Sequence, residues 1–327
     1  MKRSAKVALG ALGVFGVLGA AGSYLLGSKL FSIGCSRFDD MKHLWSSGQY
    51  KGQYSAELSD AIIWARKMKP KKVEIMSCDG LKLVGHIIEA DEPKGNILLM
   101  HGFHSSGIHD FSLALELYNK QGFNLILPDQ RAHGESEGKY ITYGIKEKED
   151  CALWAQYVSK RYPDLPIILH GISMGASTVM LATGENIPDA VCGVIADCGY
   201  TSPMEIFRYV IKNGMKLPVQ PALTIACRIA KHKAGVDLAD CSVPKTLEKN
   251  TLPIFIAHGE ADTFVPCSMS DTNAEACKNC RVTVIKVAGA EHGESFLVDR
   301  ERYEAMVNEF IDKCIKVYNE RSISTNE

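Results

Sequence analysis

One serine in this chain is fenced by glycines. The stretch Gly171-Ile172-Ser173-Met174-Gly175 lies inside "PIILHGISMGASTVM". "PIILHG" is a short apolar run opened by Pro166 and reads as a buried strand, while "ASTVMLAT" reads as a helix packed by small residues. A serine on so tight a strand-to-helix turn presents its Oγ free at the edge of a sheet. Side chains at the flanking positions would crowd that turn, and glycine removes them. The turn also aims the first amides of the helix at any negative charge that develops beside the serine. The chemistry this allows is nucleophilic attack, provided that a base takes the hydroxyl proton.

A base and an acid follow in chain order. His292 stands in "AGAEHGES", after the apolar run "RVTVIKV". Asp262 stands in "HGEADTFVP", after "LPIFIA". Serine, acid and histidine, each just past its own strand, is one of the known orders for a Ser-His-Asp set. Asp197 in "IADCGY" also follows a strand and competes for the role of the acid. His101, His104, His109, His133, His170 and His258 lie near strand ends too. His101 and His258 each precede a glycine and are read as supports for backbone turns. The spacing of His101, His104 and His109 has no helical period and no accompanying carboxylate motif, so no metal site is expected.

The elements that must carry these residues alternate. "KKVEIMSCDGLKLVGHIIEA" reads as two strands turning at Asp79-Gly80. Further strands are read in "GNILLM", "FNLILP", "PIILHG", "AVCGVIAD", "LPIFIAHG" and "RVTVIKV". Between them "SLALELYNKQG" and "KEDCALWAQYVSKRYP" read as helices. "RYEAMVNEFIDKCIKVY" repeats apolar residues at Met306, Val307, Phe310, Ile311, Cys314 and Ile315, the spacing of a packing helix. This alternation predicts an α/β fold: a mostly parallel sheet with helices on both faces and an antiparallel hairpin at one edge. Sites in such sheets form at the carboxyl ends of the strands, which is where the polar residues gather.

Composition narrows the partners. The chain has 327 residues, 46% apolar and 23% charged, with a net charge of −1. That suits one large domain and gives no basis for nucleic-acid binding. No phosphate loop and no dinucleotide fingerprint is present, so no cofactor is expected. Cys277 and Cys280 form a lone C-x-x-C without a second pair, which does not suffice for zinc, and the eleven cysteines are expected to be mostly reduced thiols.

The N-terminus differs from the rest. Lys2, Arg3 and Lys6 precede a charge-free run from Val7 to Leu26. That run is about 30 Å long as a helix, enough to cross a bilayer. Residues 1–35 are therefore expected to form a retained signal anchor, a single-pass transmembrane helix that leaves the globular part outside the cytoplasmic membrane. A cleaved signal peptide ending near "GAAGS" and a lipid-modified Cys35 in "SIGC" are the other readings. Residues 36–70 read as a helical connector, residues 71–320 as the main domain, and residues 321–327 as a disordered tail.

The pieces "HGFHSS", "LPDQRAHGESEG", "GISMGAST", "ADCGYTSP", "IAHGEADTFVP" and "GAEHGES" together resemble the α/β-hydrolase superfamily over about residues 72–318. Within it the chain is similar to bacterial esterases of the feruloyl and cinnamoyl type, serine aminopeptidases (S33) and Bem46-like serine hydrolases. The resemblance implies Ser173 as nucleophile, His292 as base, and Asp262 as the acid in preference to Asp197. It implies an oxyanion hole from the backbone N–H groups of Phe103 and Met174. It gives Asp129, Arg131, His133 and Gly134 a structural role, and makes about residues 200–250 a short helical cap. The activity it implies is hydrolysis of a small-molecule carboxylic ester through an acyl-enzyme. A peptidase or amidase acting on a short peptide, and a non-catalytic binding protein on the same fold, are the alternatives.

Overall fold

The computed structural model describes residues 21–37 and 54–325. Its frame is one eight-stranded sheet in the order β1-β2-β4-β3-β5-β6-β7-β8. The strands are β1 Lys71–Met76, β2 Lys82–Ile88, β3 Gly95–Met100, β4 Phe123–Pro128, β5 Ile167–Ile172, β6 Val191–Asp197, β7 Ile254–Gly259 and β8 Val282–Val287. β1 and β2 pair antiparallel, β2 meets β4 antiparallel, and every pairing from β4 through β8 is parallel. All eight strands fall on the runs read from the sequence, including the hairpin at Asp79-Gly80.

Burial follows position in the sheet. Every residue of β3, β4 and β7 is buried, whereas β1 at the edge alternates with solvent. A strand covered on both faces has no solvent side to alternate with, which is why these runs carry no period-two pattern; the buried Asn124 of β4 donates to Asn96 of β3 at 3.0 Å. One face packs on helices Glu147–Arg161 and Met174–Ala182 through Trp154, Val158, Val179 and Met180. The other packs on helices Ser112–Lys120 and Arg300–Thr325 through Leu115, Tyr118, Val307 and Phe310. The last helix runs on to Thr325, through positions read as a disordered tail.

A third apolar cluster lies above the carboxyl ends of the strands. Helix Pro203–Tyr209, a wide π turn at Val210–Gly214 and helix Ala222–Lys233 contribute to it, at the positions read as a cap. Residues 21–35 are helical and join this cluster through Leu30 and Phe31. Ile141 N–H donates to Cys35 O at 2.7 Å, and the Tyr143 hydroxyl donates to Gly34 O at 2.7 Å. Residues 1–20, most of the expected anchor, lie outside the described residues. Among the described residues no helix is long and apolar enough to cross a membrane. The described part of the expected transmembrane helix is instead packed on the globular domain. In the connector, helix Ser55–Lys67 ends ahead of Pro70, as the sequence predicts.

His170 on β5 is buried against Phe111, with ring centroids 5.0 Å apart. Burial pushes its pKa down to about 3. Folded, it stays neutral down to that pH; unfolded, it takes a proton near pH 6.5. Its contribution to stability is therefore complete above about pH 6.5 and falls as the pH drops toward 3, by about 1.4 kcal/mol per pH unit. His170→Phe keeps the ring contact and removes the titration. Urea unfolding between about pH 6 and pH 4 should show a curve shallower by about that slope.

Candidate active site

The turn at Ser173 is strained. Its backbone sits at φ 57°, ψ −116°, a region that L side chains rarely enter. The flanking glycines explain how the turn closes. A Cβ at Gly171 would lie 2.1 Å from Gly175 O, and one at Gly175 would lie 1.8 Å from Met100 O. Ser173 N–H donates to Asp197 O at 2.8 Å, tying the turn to the end of β6. The helix that follows is buried in all nine residues, so the turn cannot relax outward.

The structure brings the three residues expected to act together into one hydrogen-bonded row. His292 Nε2 is 2.8 Å from Ser173 Oγ, and His292 Nδ1 is 2.7 Å from Asp262 Oδ2. A carboxylate only accepts, so Nδ1 carries the proton and Nε2 is left to accept from the serine hydroxyl. Asp262 Oδ1 accepts from the N–H groups of Phe264 and Val265, both at 2.8 Å. His258 Nε2 lies 3.2 Å from Asp262 Oδ2 and 2.8 Å from Val265 O, while its Nδ1 is 2.6 Å from Ser270 Oγ. Burial alone would raise the Asp262 carboxyl, but hydrogen bonds from His258 and His292 outweigh it and hold the group well below the usual carboxylate range.

Asp197 does not reach His292 through its side chain. Its carboxylate accepts from Ser295 Oγ at 2.9 Å in a fully buried position, and burial pushes its pKa up. Cys198, Asp262 and His292 each bring one donor atom within 4.8 Å of the others. They do not fit a metal. His292 Nδ1 and Asp262 Oδ2 are already spent on each other, and burial holds the Cys198 thiol protonated, with its pKa far above its ordinary value.

The amides expected to stabilise negative charge flank Ser173. A Cβ at Gly102 would lie 3.4 Å from Ser173 Cβ, so the Gly102–Phe103 segment passes directly beside the serine. Met174 opens the helix, where the first N–H groups have no intrahelical partner. Asp110 anchors the segment: its Oδ2 accepts from Gly102 N–H at 2.7 Å, and Ser105 Oγ donates to its Oδ1. Burial works against the charged Asp110, but hydrogen bonds from His109, Ser105 and the Gly102 amide keep its pKa lowered. Asp110 and Ser295 are partners that the sequence reading missed, and His258, read as a support for a backbone turn, does meet Val265 O but also reaches Asp262. The signal available for His258 was its place, four residues ahead of Asp262 at the end of the same strand.

The remaining strand-end residues are braces. His101 Nδ1 donates to Gly102 O at 2.7 Å, and its Nε2 accepts from Gln130 N–H at 3.1 Å. His133 Nδ1 donates to Arg131 O at 2.9 Å, and its Nε2 accepts from His104 N–H at 3.1 Å. Both ring nitrogens of each are occupied, which leaves neither free to ligate a metal. Arg131 is buried between Asp150 at 2.6 Å and Asp79 at 3.0 Å.

Ser173 opens into a cleft with about 680 Å³ of empty space, counting its open mouth. Phe103, Tyr143, Met174, Ile206, Phe207 and Phe264 help to wall it, and among the described residues no charged side chain lines it.

The comparisons agree with this architecture. The family described as "Serine aminopeptidase, S33" matches residues 91–231. The protein YqkD of Bacillus subtilis is 27% identical over 247 residues, covering 75% of this chain and 80% of its own length. Caffeoylshikimate esterase of Arabidopsis thaliana is 22% identical over 283 residues, covering 71% of this chain and 81% of its own. The structure of the Pyrococcus furiosus esterase Pf2001 aligns with a TM-score of 0.62 at 25% identity, over 76% of this chain and 94% of that one. A parallel sheet with a serine elbow between β5 and its helix defines the class as a hydrolase fold. The chain is a member of the α/β-hydrolase superfamily, a hydrolase that resembles its esterases and S33 enzymes.

Gly175→Ala tests the tightness of the turn. The added methyl would strike the carbonyl at the end of β3, a backbone atom with no rotamer to yield. A loss of at least about 3 kcal/mol is expected in denaturant unfolding. An unchanged midpoint would mean that β3 and the helix are free to separate.

Proposed function

We propose that the protein hydrolyses carboxylic esters through an acyl-enzyme. The observation that carries this reading is the hydrogen-bonded row Ser173–His292–Asp262, set on a strained turn at the floor of an apolar cleft. Ser173 Oγ attacks the ester carbonyl while His292 Nε2 takes its proton. The oxyanion that forms is met by the amides of Phe103 and Met174. Asp262, ionised and held by four donors, keeps the imidazole in the tautomer that accepts from serine and stabilises the imidazolium. His292 then gives its proton to the departing alcohol. Water, activated by the same nitrogen, attacks the acyl-enzyme and releases the acid.

An aminopeptidase reading shares this chemistry and draws support from the S33 match. It also needs an anionic group to hold the substrate's free ammonium. Among the described residues, those lining the cleft include no aspartate or glutamate, which supports an uncharged ester.

Labelling of the full chain with a fluorophosphonate, alongside p-nitrophenyl acetate hydrolysis, tests the reading. Ser173→Ala should lose the label and about 10⁴-fold or more in kcat. Asp262→Asn should fall by about 10⁴-fold and Asp197→Asn by far less. The reverse order for the two acids would reassign the acid, and a labelled Ser173→Ala would remove the mechanism.

We also propose that residues 1–20 tether the protein to a membrane, supported by the charge-free run behind Lys2, Arg3 and Lys6. The full chain should fractionate with membranes and a chain lacking residues 1–20 should not. An uncleaved full chain found wholly in the soluble fraction would overturn the tether.

A further inference from the structure

The helix at residues 21–35 is part of the wall of the cleft. Leu30, Ile33 and Gly34 line the same space as Ser173, facing Val210 and Met215 of the cap. The helix is seated by close packing on the cap. A Cβ at Gly27 would lie 2.6 Å from Ile225 Cβ, and one at Gly34 would lie 2.7 Å from the Phe207 ring. Two glycines one heptad apart let the backbone approach the cap more closely than any side chain would allow. Backbone bonds then lock its end: Cys35 O accepts from Ile141 N–H at 2.7 Å, and Arg37 N–H donates to Lys139 O at 2.9 Å.

Polarity and exposure say what this wall receives. The cleft is bounded at its floor by the reacting serine and elsewhere by aliphatic and aromatic side chains, with no charge among the described residues. Two tyrosines line it: the Tyr143 hydroxyl donates to Gly34 O, and the Tyr200 hydroxyl is buried. Two lining residues from opposite walls are also exposed, Ile33 at 38% and Met215 at 40%, so they mark the mouth. A trough lined almost wholly by aliphatic and aromatic side chains suits an uncharged, apolar acyl group. It stabilises a chain of methylenes, each of which leaves water on entering.

We propose that the acyl group of the substrate is an unbranched aliphatic chain longer than butyryl, seated between the cap and the helix at 21–35, and that Ile33 is a specificity-determining residue for its length. This rests on the ester-hydrolase reading above. The acyl carbonyl sits at Ser173, the chain runs out between Ile33 and Met215, and the alcohol departs elsewhere.

The test uses the full chain and p-nitrophenyl esters of acetate, butyrate, octanoate and laurate. kcat/KM should climb from acetate to octanoate by up to about fourfold per added methylene. Ile33→Trp should lower the octanoate-to-acetate ratio of kcat/KM by at least tenfold, and Met215→Trp should do the same from the other wall. A ratio does not depend on the fraction of protein that is active, so partial misfolding cannot mimic the result. A flat chain-length profile would overturn the proposal. So would an unchanged ratio in Ile33→Trp, or octyl acetate turning over faster than p-nitrophenyl octanoate, which would put the chain on the alcohol side. Wild-type protein that neither takes the fluorophosphonate nor cleaves any ester would bring down the hydrolase reading itself, a failure distinct from any change in chain preference.

Discussion

The approach of Gly175 to the carbonyl of Met100 governs this molecule. It forces the helix after β5 against the end of β3, and Ser173 takes a positive φ because no other path joins that strand to that helix. Such a conformation persists only where its surroundings leave no alternative. Here they do so on all sides: β5 is hydrogen-bonded to β3 and β6, the helix is wholly buried, and the Ser173 amide is held by Asp197 O. β3 is also where the strand order reverses, with β4 on one side and β5 on the other. The loop after β3 therefore passes beside the serine, which is how Gly102 and Phe103 come within reach of it.

Around that turn two buried carboxyls, Asp262 and Asp110, are held in the charged form by the donors that surround them. Asp262 is buried, yet it keeps its charge because two amides and two imidazoles donate to it. Asp197, a few residues from the same centre, is buried with fewer donors and its pKa moves the other way. Asp197 is the more deeply buried of the two and has fewer donors, and both differences push its carboxyl up while that of Asp262 is held down. His258 gives the site its second layer: it spans Asp262, Val265 O and Ser270, so helix Ser268–Ala276 is coupled to the orientation of the acid.

Much of this was legible in the sequence because it is local. Apolar runs ended by His-Gly or Pro-Asp mark strands and their carboxyl ends, and a serine between glycines marks a turn that only small residues permit. Asp262 was separable from Asp197 only by resemblance, since both follow strands; what distinguishes them is the distant His292. Asp110 and Ser295 were not legible, because each acts on a partner brought near by the fold: Gly102 for the first, Asp197 for the second. The segment at 21–35 shows a different limit. Hydrophobicity states that a helix avoids water and does not say whether lipid or protein will cover it. Its glycines at 27 and 34 held the information, as sites of close approach to Ile225 and Phe207.

That packing bears on the order in which the chain can assemble. The segment at 21–35 is made well before its seat, which is built from residues near 207 and 225. During synthesis it must wait, as an apolar helix without a partner, until most of the sheet has emerged and the cap can close. Contacts so distant in sequence are slow to form, and exposed apolar surface in the interval invites association with other chains. A protein built this way gains a finished cleft only at the end of folding, so the competent enzyme and the completely folded enzyme are the same species.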